Sequence, residues 1–225
     1  MSLKSSIPSA RTRIKICGLR EEQHIAASID AGADALGFVL YPPSVRAISL
    51  ELCAELTRYV PAFVSTVALF VNPTRQEVEI ALSIARIDLL QFHGNEPEAF
   101  CASFGRPYLK ALAVDESFDL LQSQQQYVSA SALLLDTPSA GHGGSGKTFN
   151  WQLINTPNTG ITRGEHAPAL VLSGGLTAAN VADAIRAVRP FAVDVSSGVE
   201  VSRGVKSSEL IENFCRAVRL ADASM

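Results

Sequence analysis

Short runs of nearly continuous apolar residues alternate along this chain with stretches whose apolar positions recur every three or four residues, a strand-then-helix pattern that keeps returning. Residues 13–17 (RIKIC) form the first run after a polar leader, and residues 21–31 then follow helical spacing up to Gly32, a residue suited to closing a helix. Runs at 34–40 (DALGFVL) and 65–71 (STVALFV) are followed by helical patterns over 50–59 and 74–85. Next come 88–92 (DLLQF) before 96–104, 108–114 before 117–127, and 132–136 (ALLLD) before a Gly-rich stretch. Two further units close the series: 169–173 (ALVLS) before 177–188, and 192–196 (AVDVS) before 207–220.

Strands that are apolar throughout are expected in parallel sheets covered on both faces. Eight strands with about eight helices predict an α/β protein, a single (β/α)8 TIM barrel, rather than an open six-stranded sheet. Such barrels run to about 250 residues, so a chain of 225 leaves room for mostly short connections. The pattern divides the chain into a flexible leader over 1–12 and a catalytic barrel over 13–225. The one long connection, 137–168, is expected to hold a short helix around 150–154, with a surface excursion over 156–166 that the pattern does not assign.

Composition narrows the function. With 47% hydrophobic and 18% charged residues the chain is too apolar for a disordered protein. Its formal charge of −3 argues against a nucleic-acid partner, because phosphate-backbone binding favours a basic surface. No apolar run approaches the ~18 residues of a membrane span, and the first twelve residues lack a signal-peptide core, so a cytoplasmic protein without membrane association is expected. Cys17, Cys53, Cys101 and Cys215 are far apart, with no C-x-x-C pair, so free thiols and no zinc site are expected.

A barrel places its chemistry at the carboxyl ends of its strands. There stand Cys17, the segment YPPSVR ending in Arg46, His93, Asp136, Ser173-Gly174-Gly175 and Ser196-Ser197-Gly198. Loops after strands seven and eight commonly hold phosphate on backbone N–H groups, and glycines at 174, 175 and 198 permit that approach; a plain tight turn is the other reading of Gly174-Gly175. Cys17 reads either as a small buried core residue or as a general base whose thiol is lowered slightly by a positive neighbour such as Lys15. Asp136 reads either as an Asx-turn residue or as a general acid in a desolvated site. Arg46 is a solvated surface arginine or a fork for a substrate carboxylate. His93 fits a ligand, an acid or a hydrogen-bonded strand end, and no second ligand stands at the spacing of a helical metal pair.

Residues 141–148 (GHGGSGKT) match the nucleotide-binding pattern G-x-x-x-x-G-K-[ST] and supply the rival reading, a P-loop nucleotide-binding protein. That loop must leave a strand directly and enter a helix. Here residues 137–140 intervene, and the following TFNWQLINTPN has room for a turn or two of helix before Pro157. A non-enzymatic binding module is a third possibility, against which the clustering of polar residues at strand ends argues.

The segments KICGL (15–19), GFVLYPPSVR (37–46), ALFVN (68–72), LLQFHGNE (89–96), LLLD (133–136), GGSGKTFNW (143–151), SGGLTAANV (173–181) and DVSSGVE (194–200) together resemble phosphoribosylanthranilate isomerase of tryptophan biosynthesis. The resemblance runs in order from about residue 13 to 220 and includes the P-loop lookalike. It implies a cofactor-free, metal-free Amadori rearrangement of a small-molecule phosphosugar, with Cys17 as base and Asp136 as acid. It further implies Arg46 on the anthranilate carboxylate, phosphate at Gly174, Gly175, Ser196, Ser197 and Gly198, and a monomer or weak homodimer. Arg20, Pro43, Val45 and Asn150 depart from the usual family residues, and the changed loop bears on how Arg46 reaches substrate.

Overall fold

The computed structural model describes residues 11–138, 148–154 and 167–225. Eight parallel strands close into a barrel in sequence order: β1 (Arg13–Cys17), β2 (Ala35–Val39), β3 (Ser65–Phe70), β4 (Leu89–Phe92), β5 (Tyr108–Ala113), β6 (Ala132–Asp136), β7 (Ala169–Leu172) and β8 (Ala192–Val195). Closure is made by β8 against β1, with Arg13 beside Ala192 and Ile16 beside Val195. The eight-stranded barrel expected from the sequence is the observed fold, and β1 and β6 have the expected bounds.

Seven α-helices are described: α1 (Glu22–Asp30), α2 (Leu50–Leu56), α3 (Arg75–Ile84), α4 (Glu98–Ala102), α5 (Leu120–Gln126), α6 (Val181–Val188) and α7 (Ser208–Ala223). Several are shorter than their periodicity suggests, because polar side chains at their starts serve other bonds. Helix α4 begins after Pro97, leaving Glu96 to accept the Asn72 N–H at 2.7 Å and the Lys110 ammonium at 2.8 Å. Helix α6 begins at Val181, because the Asn180 side chain folds back onto the Thr177 N–H at 2.8 Å. In the long connection after β6, the short helix is a single 3-10 turn at Trp151–Leu153. The 156–166 excursion and all of the 141–148 lookalike except Thr148 lie outside the described residues.

Inside the apolar runs a period of two decides which side chains enter the barrel. On β1, Ile14 and Ile16 join the layer between strands and helices, whereas Cys17 faces the barrel interior. On β6, Leu133 and Leu135 face the helices and Leu134 the interior. The same alternation sends Lys15, Gln91, Asp136, Ser173 and Asp194 inward, all of them buried polar residues. The sites of chemistry are therefore the inward positions nearest the carboxyl ends of their strands.

Two features differ from the sequence expectation. A small antiparallel hairpin, β9 (Glu200–Ser202) and β10 (Val205–Lys206), stands between β8 and α7. At the other end, Arg11 and Thr12, expected in the leader, are fastened to the barrel: Arg11 donates to Asp34 at 2.8 Å, and the Thr12 N–H and hydroxyl donate to Asp222 at 2.8 and 2.7 Å. Residues 1–10 lie outside the described residues. No helix among the described residues is long and apolar enough to cross a membrane.

Candidate active site

A cavity of about 290 Å³ opens at the carboxyl ends of the strands. Its lining includes Cys17, Arg46, His93 and Asp136, together with Gly174, Gly175, Ser196 and Ser197. Residues spread over nearly the whole sequence thus meet around one space. Gly198 does not line it. A Cβ there would lie 1.8 Å from the Leu176 carbonyl oxygen, so this glycine permits the β8 loop to close against the β7 loop.

Cys17 is 4% exposed and shares its corner with Lys15, two residues earlier on the same face of β1. Gly37 on β2 makes room for both, since a Cβ at that position would lie 2.8 Å from the Cys17 sulfur and 3.1 Å from the Lys15 nitrogen. Lys15 is anchored to Asp194 at 2.7 Å, and Asp194 also accepts from the Ser173 hydroxyl at 3.2 Å. Burial pushes the Cys17 thiol up, Lys15 pulls it down, Asp194 pushes it up again, and the net result lies above the ordinary value. This corrects the expectation of a thiol lowered by Lys15: desolvation outweighs a cation whose charge Asp194 largely cancels.

Asp136 is 7% exposed at the end of β6. One of its oxygens accepts the N–H of the next residue, Thr137, at 2.7 Å, one residue short of the bond of an Asx turn. The other lies 3.3 Å from His93 Nε2. His93 Nδ1 in turn stands 3.2 Å from the Gln91 amide nitrogen. His93 thus stands at its strand end between Gln91 and the candidate acid.

Arg46 is buried, and its Nε and one terminal nitrogen donate to the two oxygens of Glu200 at 2.7 and 2.9 Å. Glu200 also receives Lys206 at 2.8 Å and the Gly204 N–H at 3.0 Å. Lys206 reaches onward to the Ser196 carbonyl at 2.9 Å, and the Ser196 hydroxyl donates to the Cys17 carbonyl at 3.0 Å. A continuous polar chain therefore ties the loop after β2, the hairpin, the loop after β8 and the end of β1. Sequence reading missed Glu200 and Lys206, whose only signal was a charged pair following DVSSGV on a segment too short to show a period. Arg20 donates to the Val45 carbonyl at 3.1 Å, so two positions that depart from the usual family residues support one another beside Arg46.

Gly174 and Gly175 have φ of 82° and 62°, the left-handed region that glycine enters without strain. Their N–H groups donate to no acceptor among the described residues and stand at the cavity wall. Among the described residues, no group of three or more His, Cys, Asp or Glu is placed to hold a metal ion.

The family model described as N-(5'phosphoribosyl)anthranilate (PRA) isomerase matches residues 14–217. The chain is 51% identical over 213 residues to the N-(5'-phosphoribosyl)anthranilate isomerase of Methylibium petroleiphilum, covering 95% of this chain and 96% of the relative. It is 49% identical to that of Dechloromonas aromatica, covering 96% and 100%. Among solved structures, the phosphoribosyl anthranilate isomerase of Thermotoga maritima superposes with a TM-score of 0.82 at 39% identity, covering 92% of this chain and 98% of that one. A phosphoribosyl anthranilate isomerase in complex with reduced 1-(o-carboxyphenylamino)-1-deoxyribulose 5-phosphate superposes with a TM-score of 0.79 at 36% identity, with the same coverage. The chain belongs to the N-(5'-phosphoribosyl)anthranilate isomerase family.

Proposed function

We propose that Cys17 and Asp136 are the base and acid with which this member of the family carries out its isomerisation in tryptophan biosynthesis. The observation that carries the proposal is that the two side chains, from β1 and β6, line the same cavity beside Gly174 and Gly175, whose N–H groups have no acceptor among the described residues. The substrate is the aminoaldose N-(5'-phosphoribosyl)anthranilate and the product is the aminoketose 1-(2-carboxyphenylamino)-1-deoxyribulose 5-phosphate.

Asp136, protonated, gives its proton to the ribose ring oxygen as the bond from that oxygen to C1 breaks. The anthranilate nitrogen lone pair forms the C1–N double bond, so the open chain is an iminium ion. Cys17, as thiolate, removes the C2 proton; the electron pair forms the C1–C2 double bond and neutralises the nitrogen. The resulting enolamine regains a proton at C1 and loses the C2 hydroxyl proton, giving the ketone. No electrons leave the substrate, so acid and base suffice.

Phosphate is held by the N–H groups at Gly174 and Gly175 and by the loop at Ser196 and Ser197, and the aryl carboxylate by the Arg46 nitrogen that Glu200 leaves free. All these groups come from one chain, which fits a monomer or a weak homodimer whose sites do not depend on a second copy. A steady-state assay with freshly made phosphoribosylanthranilate, with and without EDTA, tests the proposal. Turnover proportional to enzyme concentration and unchanged by EDTA is expected; loss on chelation, restored by added metal, overturns the two-residue chemistry.

A further inference from the structure

The cavity mouth carries a second arginine that the reaction above does not use. Arg203 occupies the turn between β9 and β10, is exposed, and lines the same cavity as Arg46. Its guanidinium has no hydrogen bond or ion pair among the described residues. The hairpin that bears it is not a loose arm. Glu200 at its base takes Arg46, Lys206 and the Gly204 N–H, and Lys206 at its end is buried. Gly204, with φ of 86°, lets the turn press against the loop after β2, where a Cβ would come within 3.0 Å of the Val45 carbonyl oxygen. Arg203 is therefore presented by a fixed support beside the loop that holds Val45 and Arg46.

The charges around Arg46 show what such a residue can add. The Arg46 cation is opposed at close range by Glu200, so its pull on a second carboxylate is weakened, while Arg203 has no such counter-charge among the described residues. A planar fork with free donors at the rim is suited to a carboxylate arriving from solvent. We propose that Arg203 is a further substrate-positioning residue, closing on the aryl carboxylate from the side opposite to the Glu200-bound edge of Arg46. The inference rests on the substrate assigned above. Phosphate is the other anion within the substrate; the Lys206 end of the hairpin bonds Ser196 on the loop after β8, but the turn that bears Arg203 lies against Val45 on the Arg46 side, which favours the carboxylate.

The test compares wild-type protein with Arg203→Ala and Arg203→Lys. Calorimetry would measure binding of the reduced, stable product analogue and of its counterpart lacking the carboxyl group; inhibition by inorganic phosphate and steady-state constants complete the set. For Arg203→Ala we expect affinity for the carboxylated ligand to fall about fivefold, as for a partly exposed charge-assisted contact. KM should rise in step with kcat changed less than about twofold. Binding of the carboxyl-free ligand and inhibition by phosphate should stay at wild-type values, and Arg203→Lys should recover part of the loss. Equal losses for both ligands, weaker phosphate inhibition, or no loss at all would overturn the assignment. Failure of the wild-type protein to turn over phosphoribosylanthranilate would overturn the substrate itself, a result distinguishable from an indifferent Arg203 in an active enzyme.

Discussion

Arg46 and Glu200 meet edge to edge through two parallel bonds of 2.7 and 2.9 Å, so the guanidinium is held in plane before any substrate arrives. Burial pushes the Glu200 carboxyl up, but Arg46, then Lys206, outweigh it and bring it from an ordinary 4.5 down to about 2. A carboxyl lowered in the folded state stabilises the fold above its unfolded value, and that contribution is lost as pH falls through the folded value. Lys206 is pushed below its usual value because burial outweighs the attraction of Glu200, which offsets part of the gain. Glu200→Gln should therefore cost up to about 3 kcal/mol at neutral pH. Urea unfolding of both proteins should show the gap shrinking between about pH 4.5 and 2. A gap that does not change with pH would mean the charge of Glu200 contributes nothing.

The thiol of Cys17 makes the second prediction. Because burial holds it above its ordinary value, the pH at which the thiol ionises, read from its rate of alkylation, should lie above that of a free cysteine. Titration of thiolate absorbance in the ultraviolet, taken as the difference between wild type and Cys17→Ser, should give the same midpoint. Cys17→Ser should fold and lose about 10²-fold or more in kcat, since a hydroxyl is a far poorer base precursor. Near-normal turnover in the serine variant would reduce Cys17 to packing.

Asp136 and His93 should differ in degree. Asp136→Asn keeps the bond to Thr137 but has no acidic proton, so kcat should fall about 10²-fold or more with KM little changed. His93 stands 3.3 Å from the acid instead of at the reacting atoms, and His93→Ala should cost roughly tenfold in kcat, about 1.4 kcal/mol of barrier. Stopped-flow single turnovers would separate the chemical step from product release. A His93→Ala loss as deep as that of Asp136→Asn would give the imidazole a direct part in proton transfer.

The strands were legible because burial on both faces leaves continuous apolar runs, and the inward polar positions could be found by counting in twos from Lys15 or Leu134. Cys17 and Asp136 stood out because each ends its run. The Arg46–Glu200 bond was not legible: its partners are 154 residues apart, and the hairpin carrying Glu200 has strands of three and two residues with an exposed Val201 and Val205, too short for any period to show. The thiol's direction was misjudged because burial, the largest influence on it, is complete only in the closed barrel, and for a second, related reason. Lys15 was visible beside Cys17, but Asp194, which cancels much of its charge, comes from a strand that becomes adjacent only when the barrel closes.

The last prediction concerns the two glycines after β7, which the fold makes unequal. A Cβ on Gly174 would lie 2.4 Å from the Thr137 hydroxyl oxygen, 2.8 Å from the Thr137 nitrogen and 3.1 Å from Asp136 Oδ1. Gly174→Ala must therefore displace the turn that orients the candidate acid as well as the N–H offered to phosphate. At a φ of 82° it also carries a left-handed strain of about 1–2 kcal/mol. It should lower kcat and raise KM together, and it should weaken inhibition by inorganic phosphate. Gly175, with φ of 62°, stands one residue further from Asp136. Bulk there should act on phosphate alone: in Gly175→Val, KM and the inhibition constant for inorganic phosphate should rise in proportion while kcat stays within about threefold of wild type. Far-ultraviolet circular dichroism and thermal unfolding would confirm that both variants fold. An unchanged inhibition constant in both variants would remove phosphate from this loop, and a kcat loss in Gly175→Val as large as in Gly174→Ala would break the link between Gly174 and Asp136.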